Sequence, residues 1–203
     1  MNKKLLITLS LSSLMILSSC GKSETDIINK NTTSSSTENS TVNNNSSKNN
    51  YNEIGFDKFN FSAKDINNKE YNTEIFESSK VTMINFWATF CGPCINELKD
   101  INKLSEEFKS EDFQVMGIVT DAYEGDEDII NSAKKIIKDN NVKYLNIIPN
   151  DNLYTNYLNN LQFVPTTIFV NKNGDLIGPV VNGAKSYNEY KEIIENIIEN
   201  LNE

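Results

Sequence analysis

Cys91 and Cys94 stand one helical turn apart, separated by Gly92-Pro93 and preceded by the apolar run Val81-Thr82-Met83-Ile84-Asn85-Phe86. Two sulfurs at this spacing can close into a small disulfide ring and reopen with little backbone movement. Gly-Pro suits the first turn of a helix, where proline's missing N–H leaves no bond unmade. A cysteine at a helix N-terminus faces unpaired N–H groups and the positive end of the macrodipole, which stabilises its thiolate and speeds its attack on a disulfide. The chemistry open to this pair is dithiol–disulfide exchange.

Other chemistries fail on inventory. A structural zinc site needs four ligands, whereas the chain has three cysteines and no histidine, and the third cysteine is the distant Cys20. The lack of histidine also removes Ser-His-Asp and Cys-His catalysis, haem ligation by a Cys-His pair and most transition-metal sites. A structural thiol pair without chemistry is the remaining bland alternative.

The elements that must position the cysteines read clearly. Val81–Phe86 is a continuous apolar strand of the kind found in the middle of a parallel sheet. Helical periodicity runs from Cys94 to Phe108. Gln114–Val119 is a second buried strand, and 128–140 an amphipathic helix with Ile129, Ala133, Ile136 and Ile137 inward. A short strand at 145–148 and a short helix at 153–161 follow. Strands 166–170 and 176–181 straddle Asn171-Lys172-Asn173-Gly174 as a hairpin. Ser186 opens a last helix with Tyr190, Ile193, Ile194 and Ile197 on its apolar face. Before all of these, Phe59–Ser62 and Glu70–Asn72 flank the turn signal Asn67-Asn68, a small opening hairpin. The pattern is α/β, a mixed sheet covered on both faces.

Upstream of that domain the composition changes. Lys3-Lys4 precede an apolar stretch, Leu5 to Leu17, too short to remain as a membrane-spanning helix. Leu17-Ser18-Ser19-Cys20-Gly21 resembles a bacterial lipoprotein signal, which would make 1–19 a cleaved leader and Cys20 the lipid-modified first residue; an ordinary secretory signal with a stray cysteine is the alternative. Residues 20–52 are rich in Asn, Ser and Thr and have little to bury, so they read as a tether. About 30 such residues have a coil span of about 30 Å and a reach near 100 Å. The formal net charge of −9, more negative still without Lys3 and Lys4, repels nucleic acid and anionic lipid alike. Membrane contact would come from the lipid. The remaining 53–203 has the size of one domain, with no cysteine left for a structural disulfide.

From about Ile54 onward the chain resembles thioredoxin-fold proteins of the TlpA/ResA type, extracytoplasmic disulfide reductases. The resemblance is carried by Asn85-Phe86-Trp87-Ala88-Thr89-Phe90-Cys91-Gly92-Pro93-Cys94, Glu97, Val164-Pro165-Thr166-Thr167 and Asn173-Gly174, together with the inserted helix between the second and third main strands. It implies a thioredoxin-like fold without cofactor or metal. Its implied partners are a disulfide-containing exported protein and a membrane thiol–disulfide transporter of the DsbD/CcdA kind that returns electrons. It also implies a cis peptide before Pro165, with the backbone of Val164 facing the cysteines and open to a substrate strand.

Position on the helix assigns the thiol roles: Cys91 is the exposed attacking thiolate and Cys94, one turn in, the buried thiol that resolves the mixed disulfide. Glu97 lies near the centre of the stripe formed by Cys94, Leu98, Ile101, Leu104 and Phe108. A carboxylate there is costly to ionise, which raises its pKa and suits a proton relay; the alternative is an edge position that reaches water. TlpA/ResA-type proteins carry an acid at this place. Plain thioredoxins put one on the strand instead, where this chain has Asn85. Trp87 and Phe90 flank the thiols as candidate substrate contacts, Trp87 being as easily core. With Gly92, Pro93, Val164 and Pro165 they complete the expected substrate-binding set. The acids Asp121, Glu124, Asp126, Glu127 and Asp128 lack a calcium loop's alternation and read as a solvated loop before a helix.

The sequence therefore points to a lipid-anchored thiol–disulfide reductase on the outer face of a bacterial cytoplasmic membrane. Gly-Pro between the cysteines is thioredoxin's dipeptide, and thioredoxin's potential lies near about −270 mV against about −120 mV for an oxidant such as DsbA. Its substrates could be an apocytochrome in cytochrome c maturation, a spore-coat component, a transpeptidase or another secreted protein. Two alternatives use the same fold: an electron donor to an exported peroxidase or methionine sulfoxide reductase, and a non-catalytic binding module or copper chaperone.

Overall fold

A computed structural model describes residues 53–202. The expected leader, Cys20 and the whole of the expected tether lie outside the described residues, as does Glu203. Among the described residues, seven strands form one sheet: β1 (Ser62–Asp65), β2 (Glu70–Asn72), β3 (Val81–Trp87), β4 (Phe113–Val119), β5 (Leu145–Ile148), β6 (Thr166–Val170) and β7 (Val181–Asn182). They run in the order β2-β1-β5-β4-β3-β6-β7. β3, β4 and β5 are parallel, and the remaining pairings are antiparallel. Helices α1 (Gly92–Glu107) and α2 (Glu127–Asp139) make the crossovers between the parallel strands, and α3 (Asp151–Asn156) and α4 (Tyr187–Asn202) follow. This is the thioredoxin-like α/β architecture with its opening hairpin and inserted helix.

Every residue of β3 is buried, as a run without polar alternation requires of a central strand. One sheet face packs Met83, Val115 and Phe169 against Ile101 and Leu104 of α1 and Tyr190, Ile194 and Ile197 of α4. The other packs Ile84, Phe86, Met116 and Ile168 against Phe59, Phe61 and Phe76 from the N-terminal segment and Leu153 and Tyr157 from the α3 region. The apolar seam expected on α1 is present, with Cys94, Leu98, Ile101, Leu104 and Phe108 all buried.

Four elements differ from the sequence expectation, the first being the opening hairpin, whose leading strand is Ser62–Asp65 and not Phe59–Ser62. The hairpin after β6 is not a continuous strand over 176–181: a bridge at Leu176 and the two-residue β7 are separated by Gly178, with φ +73°, and Pro179. A side chain at Gly178 would meet Ile197, and proline cannot donate to a ladder. The helix expected at 153–161 begins earlier, because Asn150 caps it by accepting from Leu153 N, and breaks at Tyr157 into a short 3-10 turn. On α2 the buried apolar residues are Ala133, as expected, and Ile130, while Ile129, Ile136 and Ile137 are half-buried.

Candidate active site

The β3–α1 junction is built as its sequence demands. Cys91 is the N-cap of α1, with extended backbone, and its Sγ accepts from Cys94 N at 3.2 Å. Pro93 sits in the first turn, where no N–H is needed. The loop entering the helix is fixed by Asp121, whose carboxylate accepts from Thr89 N and Thr89 Oγ1. The acid-rich segment thus does two separate jobs, since Asp126 caps α2 by accepting from Ile129 N.

Cys91 and Cys94 are joined as a disulfide with Cα atoms 5.3 Å apart. Cys91 is 8% exposed and Cys94 not at all, so only the outer sulfur can be reached. The Val164–Pro165 peptide is cis, and Val164 O lies 3.6 Å from Cys91 Sγ. Gly183 N donates to Pro165 O at 2.9 Å and anchors that turn to the segment after β7.

Glu97 is 3% exposed, which excludes an edge position reaching water. Its Oε1 accepts from Asn85 Nδ2 at 2.9 Å, and its Oε2 accepts from Lys185 N at 3.0 Å and Tyr190 OH at 3.3 Å. Burial pushes the carboxyl up to about 7, opposed by the three donors and aided by nearby Asp100. A carboxyl with that midpoint gains or loses a proton around neutral pH. Helical spacing puts it on the turn that follows Cys94.

The aromatic residues divide. Trp87 is fully buried, and its indole Nε1 donates to Asn146 Oδ1 at 2.9 Å. A buried indole offers substrate no surface, so Trp87 belongs to the floor beneath the cysteines. Phe90 is 76% exposed and Phe163, unremarked in the sequence, 59% exposed. They border a groove of about 270 Å³ that is also lined by Asp121, Tyr154, Leu161 and Val164. Gly92 is exposed beside Cys91, and Pro165 is buried at the start of β6.

The comparisons agree with this geometry. Residues 54–177 match the AhpC/TSA family. The chain belongs to that family. It is 36% identical to a thioredoxin of Chlorobaculum thiosulfatiphilum over 42 residues, covering 21% of this chain and 39% of that protein. The match therefore spans about two fifths of that relative's length. Its fold superposes on a thiol:disulfide interchange protein of Chlorobium tepidum TLS with a TM-score of 0.58, at 20% identity over 68% of this chain and 93% of that one. A secreted Mycobacterium tuberculosis disulfide oxidoreductase homologous to E. coli DsbE superposes with a TM-score of 0.55, at 17% identity over 67% and 95%. This AhpC/TSA member has the thioredoxin-like fold of the interchange proteins and carries its cysteine pair at the head of α1.

Asn85, Thr167, Lys185, Tyr190 and Phe163 are the site residues sequence reasoning left without a role. Tyr190 was legible only as apolar helix face, since nothing in its spacing shows where the hydroxyl points. Phe163 had a weaker signal available, an aromatic two residues before Pro165.

Proposed function

We propose that this protein is an extracytoplasmic thiol–disulfide oxidoreductase of the TlpA/ResA type that works as a reductase on disulfides of exported proteins, apocytochromes c among them. The observation that carries the reading is the placement of Cys91 at a helix N-cap, against the turn before Pro165, its sulfur partly open to solvent and the fully buried Cys94 behind it.

Cys91 thiolate attacks one sulfur of a substrate disulfide, forming a mixed disulfide and releasing the other substrate sulfur as a thiolate. Cys94, once deprotonated, attacks Cys91 Sγ, closes the 91–94 bond and releases the second substrate thiol. Two electrons pass to the substrate, and the protein is left in the oxidised form described above. Glu97 is suited to accept the proton of Cys94, being a buried carboxyl that titrates near neutrality. Phe90, Phe163 and Val164 would hold the substrate chain beside Cys91. Reduction back to the dithiol would come from a membrane thiol–disulfide transporter.

Anchoring through a lipid on Cys20 belongs to the same proposal, supported by the residues before that cysteine. Cys20→Ser should release the domain from the membrane fraction. The catalytic reading is tested by insulin reduction together with redox equilibration against glutathione. A potential near about −270 mV supports the reductase, and one above about −150 mV assigns an oxidase instead. Trapping with Cys94→Ser identifies the substrate, and so separates this role from electron supply to an exported peroxidase or methionine sulfoxide reductase.

A further inference from the structure

Behind α1, four buried side chains from four elements close a hydrogen-bonded ring. Asn85 Nδ2 on β3 donates to Glu97 Oε1 at 2.9 Å and to Thr167 Oγ1 at 3.0 Å. Thr167 Oγ1 on β6 and Tyr190 OH on α4 are 2.9 Å apart. Tyr190 OH donates to Glu97 Oε2 at 3.3 Å. None of the other three members of the ring is exposed.

We propose that Tyr190, together with Thr167 and Asn85, is a positioning residue for Glu97, and that this ring sets where its carboxyl holds or releases a proton. Counting donors shows how. An amide nitrogen has two protons and a hydroxyl one. With both Asn85 protons committed, Thr167 must donate to Tyr190, and Tyr190 to Glu97. Every proton then points toward the carboxylate, the arrangement that suits the ionised form.

The neutral acid has no such arrangement. Asn85 Oδ1 is buried and without a partner. Turning the carboxamide over would offer that oxygen to a proton on Glu97 Oε1 and to the Thr167 hydroxyl, but it would leave no proton between Thr167 and Tyr190 and put both amide protons where nothing accepts them. Four contacts take four protons, two from Asn85 and one each from Thr167 and Tyr190, so the ring closes fully only around the ionised carboxylate. A buried donor left unmade costs about 1–3 kcal/mol, so the ring opposes the protonation that burial favours. Lys185 N ties the same carboxylate to the segment whose Gly183 N holds Pro165 O. The proton on Glu97 is thus read on both sides of the exchange site.

Other titratable groups act on this carboxyl. Asp100 lies on its own helix and Tyr144 precedes β5. Burial and Glu97 both hold the Tyr190 and Tyr144 hydroxyls above the ordinary tyrosine range, so both remain protonated, and of the two it is Tyr190 that donates to Glu97. The Lys185 ammonium lies 3.4 Å from Glu189, so that residue serves Glu97 through its amide.

The test is a carbon-13 NMR titration of the oxidised protein, with Glu97→Gln assigning the Glu97 carboxyl signal. Tyr190→Phe should raise the proton affinity of Glu97 about tenfold, since it removes a donor to the charged form. The pH profile of disulfide exchange should move with it. In the unaltered protein, the Tyr190 Cζ signal should shift with the same midpoint as Glu97. An unchanged midpoint in folded Tyr190→Phe overturns the proposal. So does a Tyr190 signal that stays flat through the Glu97 transition, which decides the matter even if the variant does not fold. The consequence for exchange rests on the proposed function, but the titration uses no substrate. A flat result would leave the exchange reading standing, and a wrong substrate class would leave the ring intact.

Discussion

The sulfur of Cys91 lies 3.6 Å from the main-chain oxygen of Val164, so a helix N-terminus and the residue before Pro165, 73 positions apart in sequence, meet at one point. That contact gives an attacking cysteine a neighbouring backbone edge against which a substrate can lie. It also makes the two thiols unequal, because the inner one is sealed beneath.

The inequality predicts different losses from the two cysteines. Cys91→Ser should lower insulin reduction to the uncatalysed rate. Cys94→Ser should still attack once and accumulate as a mixed disulfide, seen as a mass increase under non-reducing conditions. Normal turnover after Cys91→Ser would favour a binding module with adventitious reduction.

Glu97 predicts a pH dependence of stability with a definite sign. Its carboxyl is raised from an ordinary 4.5 to about 7 by burial, so the folded state holds this proton more tightly than the unfolded chain. Ionisation therefore destabilises the fold progressively as pH rises from about 4.5 to about 7, by about 3 kcal/mol in all. Below that window the penalty is absent. Denaturant unfolding of the protein and Glu97→Gln across this range should show the fall only in the unaltered chain. Parallel curves would contradict it.

Gly117 predicts a packing defect. Asn85, Gly117 and Asn146 lie side by side across β3, β4 and β5, and a Cβ on Gly117 would land on the Asn146 carboxamide that holds the Trp87 indole. Gly117→Ala should destabilise by about 3 kcal/mol, combining overpacking with a buried indole N–H left unpaired. A change below about 0.5 kcal/mol in chemical denaturation would show that the row can give way.

Phe90 and Phe163 predict a substrate effect without a stability effect. Both are largely exposed, so alanine at either should change stability by less than about 0.5 kcal/mol. Burying one ring against a protein substrate contributes about 1.5 kcal/mol or more, so KM for a protein disulfide should rise about tenfold. Oxidised glutathione, too small to cover the groove, should be reduced at the same rate.

Much of this fold was legible in the sequence because its signals are local. The apolar run of β3, the Gly92-Pro93 turn and the seam from Cys94 to Phe108 follow from periodicity and backbone rules. Glu97 stood out for the same reason, as a charge within an apolar stripe. Its partners did not, because hydrogen bonds from Asn85, Thr167 and Tyr190 depend on register between β3 and β6 and on how α4 lies across α1. The strand at 176–181 failed for a local reason with a tertiary cause: Gly178 adopts positive φ against Ile197, and Pro179 follows it. Trp87 was ambiguous because an aromatic beside a cysteine reads alike as wall or floor until its indole N–H finds Asn146.

Alkylation of the reduced protein by iodoacetamide across pH, with peptide mass analysis, tests the central claim that Cys91 is an activated nucleophile. Cys91 should be modified first, Cys94 should stay protected, and at neutral pH the rate should exceed that of free glutathione. Modification of Cys91 no faster than glutathione, or of Cys94 before it, would contradict the account.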